Sequence, residues 1–217
     1  MDSRGSGVPV AIIDYGVGNL RSVQKAFAAN GHDAAVTSDP AVIRAAERVV
    51  LPGVGAFGAA VDTLRAAGLE EVTLEAANSG RPFLGICVGM QLLFAESEEM
   101  GRHRGLGLLP GRVLRFDEAN LGSGARGVKV PQIGWNALDL SEPRSPLFAG
   151  LPPSGAMVYF VHSYYCAPED AAVTAARTDF IAPYCSAVWS GNVHGVQFHP
   201  EKSGAVGLRI LDNFARL

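Results

Sequence analysis

An α/β fold with a single domain follows from two features of this chain. In the first half, short, mostly apolar runs at 10–13, 48–51 and 83–86 alternate with helical patterns. Such alternation pairs strands in parallel through right-handed crossovers. The second half is mostly strand-like, with aromatic-rich runs and a hairpin signal at Ser190-Gly191-Asn192. The expected architecture is a central, mostly parallel sheet flanked by helices, with a more antiparallel, β-rich C-terminal half. A length of 217 residues, 48% hydrophobic and 18% charged, is enough to bury the core of one such domain.

The first residues are polar and glycine-rich, so 1–9 read as a flexible tail and 10–217 as the domain. Residues 10–13 form a buried strand. The loop Asp14-Tyr15-Gly16-Val17-Gly18-Asn19 leads to a helix on which Leu20, Val23 and Phe27 recur, and Gly31 ends it. A strand at 34–37, a short helix at 41–48 and a strand at 48–51 follow. Next comes Pro52-Gly53-Val54-Gly55-Ala56-Phe57-Gly58. It lacks the Gly-Lys-Ser/Thr of a Walker loop, but its glycines free backbone N–H groups to face an anion. One long helix is expected over 59–78.

The stretch Phe83-Leu84-Gly85-Ile86-Cys87-Val88-Gly89-Met90-Gln91-Leu92-Leu93 starts as a buried strand and ends as an amphipathic helix. Gly-x-Cys-x-Gly at the junction is the nucleophile-elbow pattern, with sulfur in place of the serine oxygen. A strand that turns at once into a helix brings backbones together, so a Cβ on either side of the nucleophile clashes. Cys87 would take strained dihedrals at a helix N-terminus, where the partial positive charge favours thiolate. A cysteine in an apolar strand is more often inert core. The flanking glycines weigh against that reading.

Beyond the elbow, Glu96-Ser97-Glu98-Glu99 reads as a solvated helix end. A strand is expected near 112–116 and a polar surface loop over 117–127. Trp135, between Gly134 and Asn136, is either core or an exposed turn. Residues 157–165 form one aromatic strand, with further strands at 173–178, 186–189 and 193–198. A final amphipathic helix over 203–217 carries Val206, Leu208, Ile210, Leu211 and Phe214.

A thiol nucleophile works with a base beside it and a group that orients the base. Of five histidines, His32 reads as surface, His103 sits between two arginines, and His162 and His194 are packed strand residues. His199 follows an apolar strand and precedes Pro200, with Glu201 two positions on. If that segment stays extended, the two side chains point the same way, and the carboxylate can bond the far imidazole nitrogen. Cys87, His199 and Glu201 then form a triad built from two strand ends.

These residues resemble the class I, triad-type glutamine amidotransferases: Gly85-x-Cys87-x-Gly89 with Gln91, and Gln197-Phe198-His199-Pro200-Glu201-Lys202-Ser203. The likeness is closer still to one branch, the glutaminase subunits of imidazole glycerol phosphate synthases. Four segments carry it: Asp14-Tyr15-Gly16-x-Gly18-Asn19-Leu20, Leu51-Pro52-Gly53-Val54-Gly55-Ala56-Phe57, Gly134-Trp135-Asn136 and Phe160-Val161-His162-Ser163-Tyr164. It runs from about residue 10 to the C-terminus. Gln132 departs from it, since that branch more often has histidine there.

The resemblance implies a class I glutamine amidotransferase fold and hydrolysis of glutamine through a glutamyl thioester on Cys87. His199 would be the proton carrier and Glu201 its orienter. The oxyanion would be held by the N–H of Val88 and by Gly53-Val54-Gly55. Gln91, Ser163 and Tyr164 would line the glutamine site. The implied partner is a separate (β/α)8 barrel cyclase, fed with ammonia in histidine biosynthesis. Asn19, Trp135, Tyr159 and Lys202 match positions that face it. The glycines around Val54 would let a peptide flip, so that cyclase binding completes the oxyanion hole. Two rivals stand: a glutaminase of the same class serving another synthase, such as the anthranilate or pyridoxal phosphate systems, and a non-catalytic binding subunit.

Composition excludes several classes. Net charge is −3 with no basic run longer than a pair, which is no footprint for nucleic acid. Cys87, Cys166 and Cys185 are an odd number without metal-ligand spacing, so no metal or cofactor is expected. The same count reads as a reducing, cytoplasmic setting rather than a disulfide framework. No apolar run approaches the ~20 residues a bilayer requires.

Overall fold

The computed structural model describes residues 9–117, 129–141 and 144–217. The expected tail, apart from residue 9, and the loop over 117–127, apart from its first residue, lie outside the described residues. The first half runs β1 (Val10–Ile13), α1 (Leu20–Ala29), β2 (Ala34–Thr37), α2 (Pro40–Ala45), β3 (Arg48–Gly53), α3 (Phe57–Ala66), α4 (Glu70–Asn78), β4 (Phe83–Cys87) and α5 (Val88–Gln91). Then come β5 (Phe94–Ser97), β6 (His103–Arg104), β7 (Leu109–Arg115), β8 (Gln132–Leu140), β9 (Ser154–His162) and β10 (Tyr164–Pro168). The chain ends with β11 (Thr174–Asp179), β12 (Pro183–Ser190), β13 (Val193–Val196) and α6 (Gly204–Ala215).

The strands join in one sheet, ordered β2-β1-β3-β4-β13-β12-β10-β7-β5-β6, with β11, β8 and β9 extending from β12. Pairing is parallel from β2 through β13. From β13 onward it is antiparallel, apart from the β5–β7 pair. The expected division into a parallel and an antiparallel half holds. Strand β4 is buried throughout, as its apolar sequence requires of a central strand covered on both faces. In register, Gly53 of β3 lies opposite Cys87, and Val196 of β13 opposite Ile86. The C-terminal ends of β3, β4 and β13 therefore stand level, the place where parallel α/β sheets collect their functional loops.

Four local expectations need correction. The single helix over 59–78 is two, α3 and α4. Gly68 adopts φ +69 between them, and Leu69 N–H reaches back to Leu64 O at 3.1 Å, the glycine-terminated helix stop. The helix after the elbow is one turn, not an extended amphipathic helix. Leu92, Leu93 and Phe94 are all buried, and a run apolar on every side continues into β5 rather than along a one-faced helix. Residues 96–99 are therefore no helix end: Ser97 closes β5 and is buried. Residues 157–165 form two strands, β9 and β10, divided at Ser163.

Candidate active site

The elbow exists and its glycines explain it. Cys87 sits at φ 56, ψ −114, a left-handed backbone that costs a non-glycine residue about 1–3 kcal/mol. A Cβ on Gly89 would lie 1.8 Å from Leu51 O, and one on Gly85 2.7 Å from Gly89 O. Close approach of α5 to β3 and β4 therefore excludes any side chain at either position. The strain places Cys87 at the end of β4 and directly before α5.

His199 and Glu201 reach it from β13. Beyond Val196 the chain leaves the sheet, and His199 N–H bonds Tyr159 O at 2.9 Å. The segment does not stay extended as expected. Pro200–Lys202 is a 3-10 turn, because Pro200 fixes a helical φ and Lys202 N–H closes onto His199 O at 3.0 Å. The predicted contact forms nevertheless, since the turn folds Glu201 back: His199 Nδ1 lies 2.9 Å from Glu201 Oε1. The two side chains are 3% and 1% exposed, so the pair is shielded from water and screened little. His199 Nε2 and Glu201 Oε2 make no hydrogen bond. Burial works to lower the His199 pKa, but interaction with Cys87 and Glu201 outweighs it and raises the value to about 10. The imidazole is thus cationic at neutral pH.

A cavity of ≈ 200 Å³ opens over this group. Cys87, Val88, His199, Val54, Gly55, Gln91, Ser163 and Tyr164 all line it. Gly53 does not: it is buried in β3, where a Cβ would meet Tyr15 Oη and Gly89 N at 2.8 Å. Gln91 Nε2 is committed inward, to Tyr164 O at 3.0 Å and to Gln197 Oε1 at 3.1 Å.

The structure also gives lining or supporting places to residues that the sequence reading did not put at the site. Glu99 lines the cavity, its Oε2 accepting from Phe57 N–H at 2.6 Å, the start of α3. Its run of acids carried no signal of this, because only the β5 turn brings it round. His162 was read as packed; it is buried, yet it also lines the cavity. Burial lowers its pKa to about 4, so the ring is neutral. The Tyr184 hydroxyl stands between His162 Nε2, at 3.1 Å, and Gln132 Oε1, at 2.8 Å. Gln132, the departure noted above, thus belongs to a buried polar group behind the cavity. Gln197 is fully buried, with Nε2 3.9 Å from Cys87 Sγ.

The four residues matched to a partner surface divide. Trp135 is 54% exposed, which answers whether it is core. It meets Tyr159 edge-on at 6.2 Å, and Lys202 Nζ lies 5.9 Å from the Tyr159 ring centre. Ile133, Met157 and Val161 are also exposed on the β8–β9 hairpin, and Val161 lines the cavity as well. Asn19 is half-buried and donates to Glu201 Oε1 at 3.3 Å. Among the described residues no helix is long and apolar enough to cross a membrane.

A cysteine on a strained strand–helix elbow lies with a buried His–Glu pair at the C-terminal ends of the parallel strands, an arrangement suited to nucleophilic catalysis. Residues 11–216 match the family model Glutamine amidotransferase class-I. The chain belongs to the class I glutamine amidotransferase family. Within it, a protein of Syntrophotalea carbinolica named Imidazole glycerol phosphate synthase subunit HisH is 57% identical over 205 residues, 94% of this chain and 98% of that one. A protein of the same name from Geobacter sulfurreducens is 52% identical over 208 residues, 96% of this chain and 98% of that one. The structure of PurLQS from Thermotoga maritima superposes with TM-score 0.73 at 18% identity, covering 95% of this chain and 97% of that one. It shares the fold.

Proposed function

We propose that this chain is the glutaminase subunit of an imidazole glycerol phosphate synthase of histidine biosynthesis, with residues 10–217 as its one domain. The carrying observation is that Cys87 and His199 line one cavity, with Glu201 buried against the His199 ring. The name shared by the relatives supports this synthase over others.

Cys87 thiolate attacks the side-chain amide carbon of glutamine. Negative charge builds on the amide oxygen and is met by Val88 N–H and a peptide N–H of the Gly53-Val54-Gly55 loop. His199 gives its proton to the departing nitrogen, leaving ammonia and a glutamyl thioester. Glu201 holds the Nδ1 side of the ring, so the other nitrogen faces the reaction. Neutral His199 then takes a proton from water, whose oxygen displaces the thiolate and releases glutamate. Gln91, Ser163 and Tyr164 hold the rest of the substrate. Glu99, an acid at the cavity wall, complements the substrate's ammonium group.

Ammonia loses its nucleophilicity once protonated in bulk water, so it passes directly to a (β/α)8 cyclase. The cyclase uses it to make imidazole glycerol phosphate and an aminoimidazole carboxamide ribotide. Trp135, Tyr159 and Lys202, with the apolar side chains around them, form the docking face, and Asn19 lies at its margin. The setting is the cytoplasm, where free glutamine and the nucleotide substrate meet.

The test is glutamate release by this chain alone, with the barrel cyclase, and with the cyclase plus its nucleotide ligand. Activity should be near zero alone and rise in the full mixture, because cyclase binding selects the completed oxyanion hole. A Cys87→Ala variant should release none and take up no glutamine-mimicking electrophile. Full activity from the lone chain removes the switch. No glutamate in the full mixture removes the function.

A further inference from the structure

The loop between β1 and α1 makes one contact that the reading above leaves unused. Asn19 stands at the N-cap of α1, where asparagine is favoured because its side-chain oxygen accepts from the helix's first N–H groups. Here the side chain makes no such bond. Its Nδ2 instead donates to Glu201 Oε1 at 3.3 Å, the oxygen that His199 Nδ1 also approaches at 2.9 Å. Oε2 of the same carboxylate is buried and makes no hydrogen bond. Two donors on one oxygen therefore fix the plane of the carboxylate. Backbone geometry serves this contact, with Gly16 at φ +92 and Gly18 at φ +121 on the approach to Asn19. In the same loop, Tyr15 donates its hydroxyl to Pro52 O at 2.9 Å, directly before the Gly53-Val54-Gly55 segment.

We propose that Asn19 is a positioning residue: its amide holds the Glu201 carboxylate in place, and through it the His199 ring that faces Cys87. This deepens the glutaminase reading and rests on it. The role is separate from docking, although Asn19 lies beside the docking face. Titratable or charged groups around the pair are Cys87 from β4, His162 from β9, Lys25 from α1, which lines the crevice behind Glu201, and the adjacent Lys202. The substitutions below change none of them.

The test uses Asn19→Gly and Asn19→Ala in the complex with saturating cyclase. Glycine is nearly as good at an N-cap as asparagine, and far better than alanine, but has no side-chain amide to donate. A capping role is therefore rescued by glycine, and a positioning role is not. Both variants should lose kcat about tenfold with KM changed less than about twofold, the pattern of an interaction felt in the transition state. A second readout is alkylation of Cys87 by iodoacetamide in the isolated chain. Its rate reports thiolate, and the acid limb of its pH profile should move up by at least about half a pH unit. Wild-type kcat in Asn19→Gly, a loss that appears in KM rather than kcat, or an unmoved alkylation profile overturns the proposal. Alkylation needs no glutaminase turnover, so it judges Asn19 even where glutamate release fails.

Discussion

Cys87 and Glu99 mark the two ends of what single residues disclose. Cys87 was legible because a local steric rule, glycine on both sides of a strained apex, is written in five consecutive positions. Glu99 was not, because its place on the cavity wall depends on the turn after β5 and on the start of α3. Its role is open to a direct measurement. Glu99→Gln keeps the shape and removes the charge, so KM for glutamine should rise about tenfold, with kcat within about threefold. One charge-assisted contact made equally in ground and transition state behaves this way. Steady-state kinetics with saturating cyclase decide it. A fall in kcat with unchanged KM would place the residue in the chemistry instead.

The β8–β9 hairpin shows the same division one level up. The sequence left Trp135 as either core or an exposed turn and did not read the strand β8 that carries it. Tertiary packing settles it: Val158 and Phe160 go inward while Trp135, Met157 and Val161 stay out. A large apolar side chain more than half exposed, beside other exposed apolar residues, is what a binding partner buries. Trp135→Ala should weaken cyclase binding by about 2 kcal/mol, as loss of an aromatic anchor does. Folding stability should change by less than about 0.5 kcal/mol, as for other surface sites. Calorimetric titration and urea unfolding measure the two. Equal loss in both would make Trp135 a structural residue.

At the scale of the whole molecule, buried histidines shape the response to pH. His162 and His194 have pKa values lowered to about 4 by burial, against 6.5 in the unfolded chain. As pH falls below 6.5 the unfolded chain takes up protons first, so stability present above 6.5 drains away toward pH 4. Each histidine accounts for about 3 kcal/mol of that loss. His199 acts in the opposite direction. Its pKa is raised to about 10, so its contribution is complete below 6.5 and is lost as pH climbs toward 10. Stability should therefore peak near neutrality and fall on both sides. Urea midpoints from pH 4 to 10 test this, and His194→Gln should flatten the acid limb. No fall below neutrality would contradict the assignment of the two buried histidines, and no fall above it the assignment of His199.

The alternation of strands and helices and the elbow were legible because each rests on contacts between near neighbours in the chain. Periodicity reports burial, glycine reports a missing Cβ, and proline reports a fixed dihedral. Helix ends were half legible: Gly31 was read as a stop, but the break at Gly68 was not, because whether a helix tolerates glycine depends on what it packs against. What no local pattern carries is the meeting of segments far apart in sequence. The register that sets Gly53 level with Cys87, the turn that carries Glu99 to the cavity, and the reach of Asn19 across 182 positions to Glu201 are of this kind. Those contacts exist only once parallel strands align their C-terminal ends, because sheet geometry, not sequence spacing, brings their loops together.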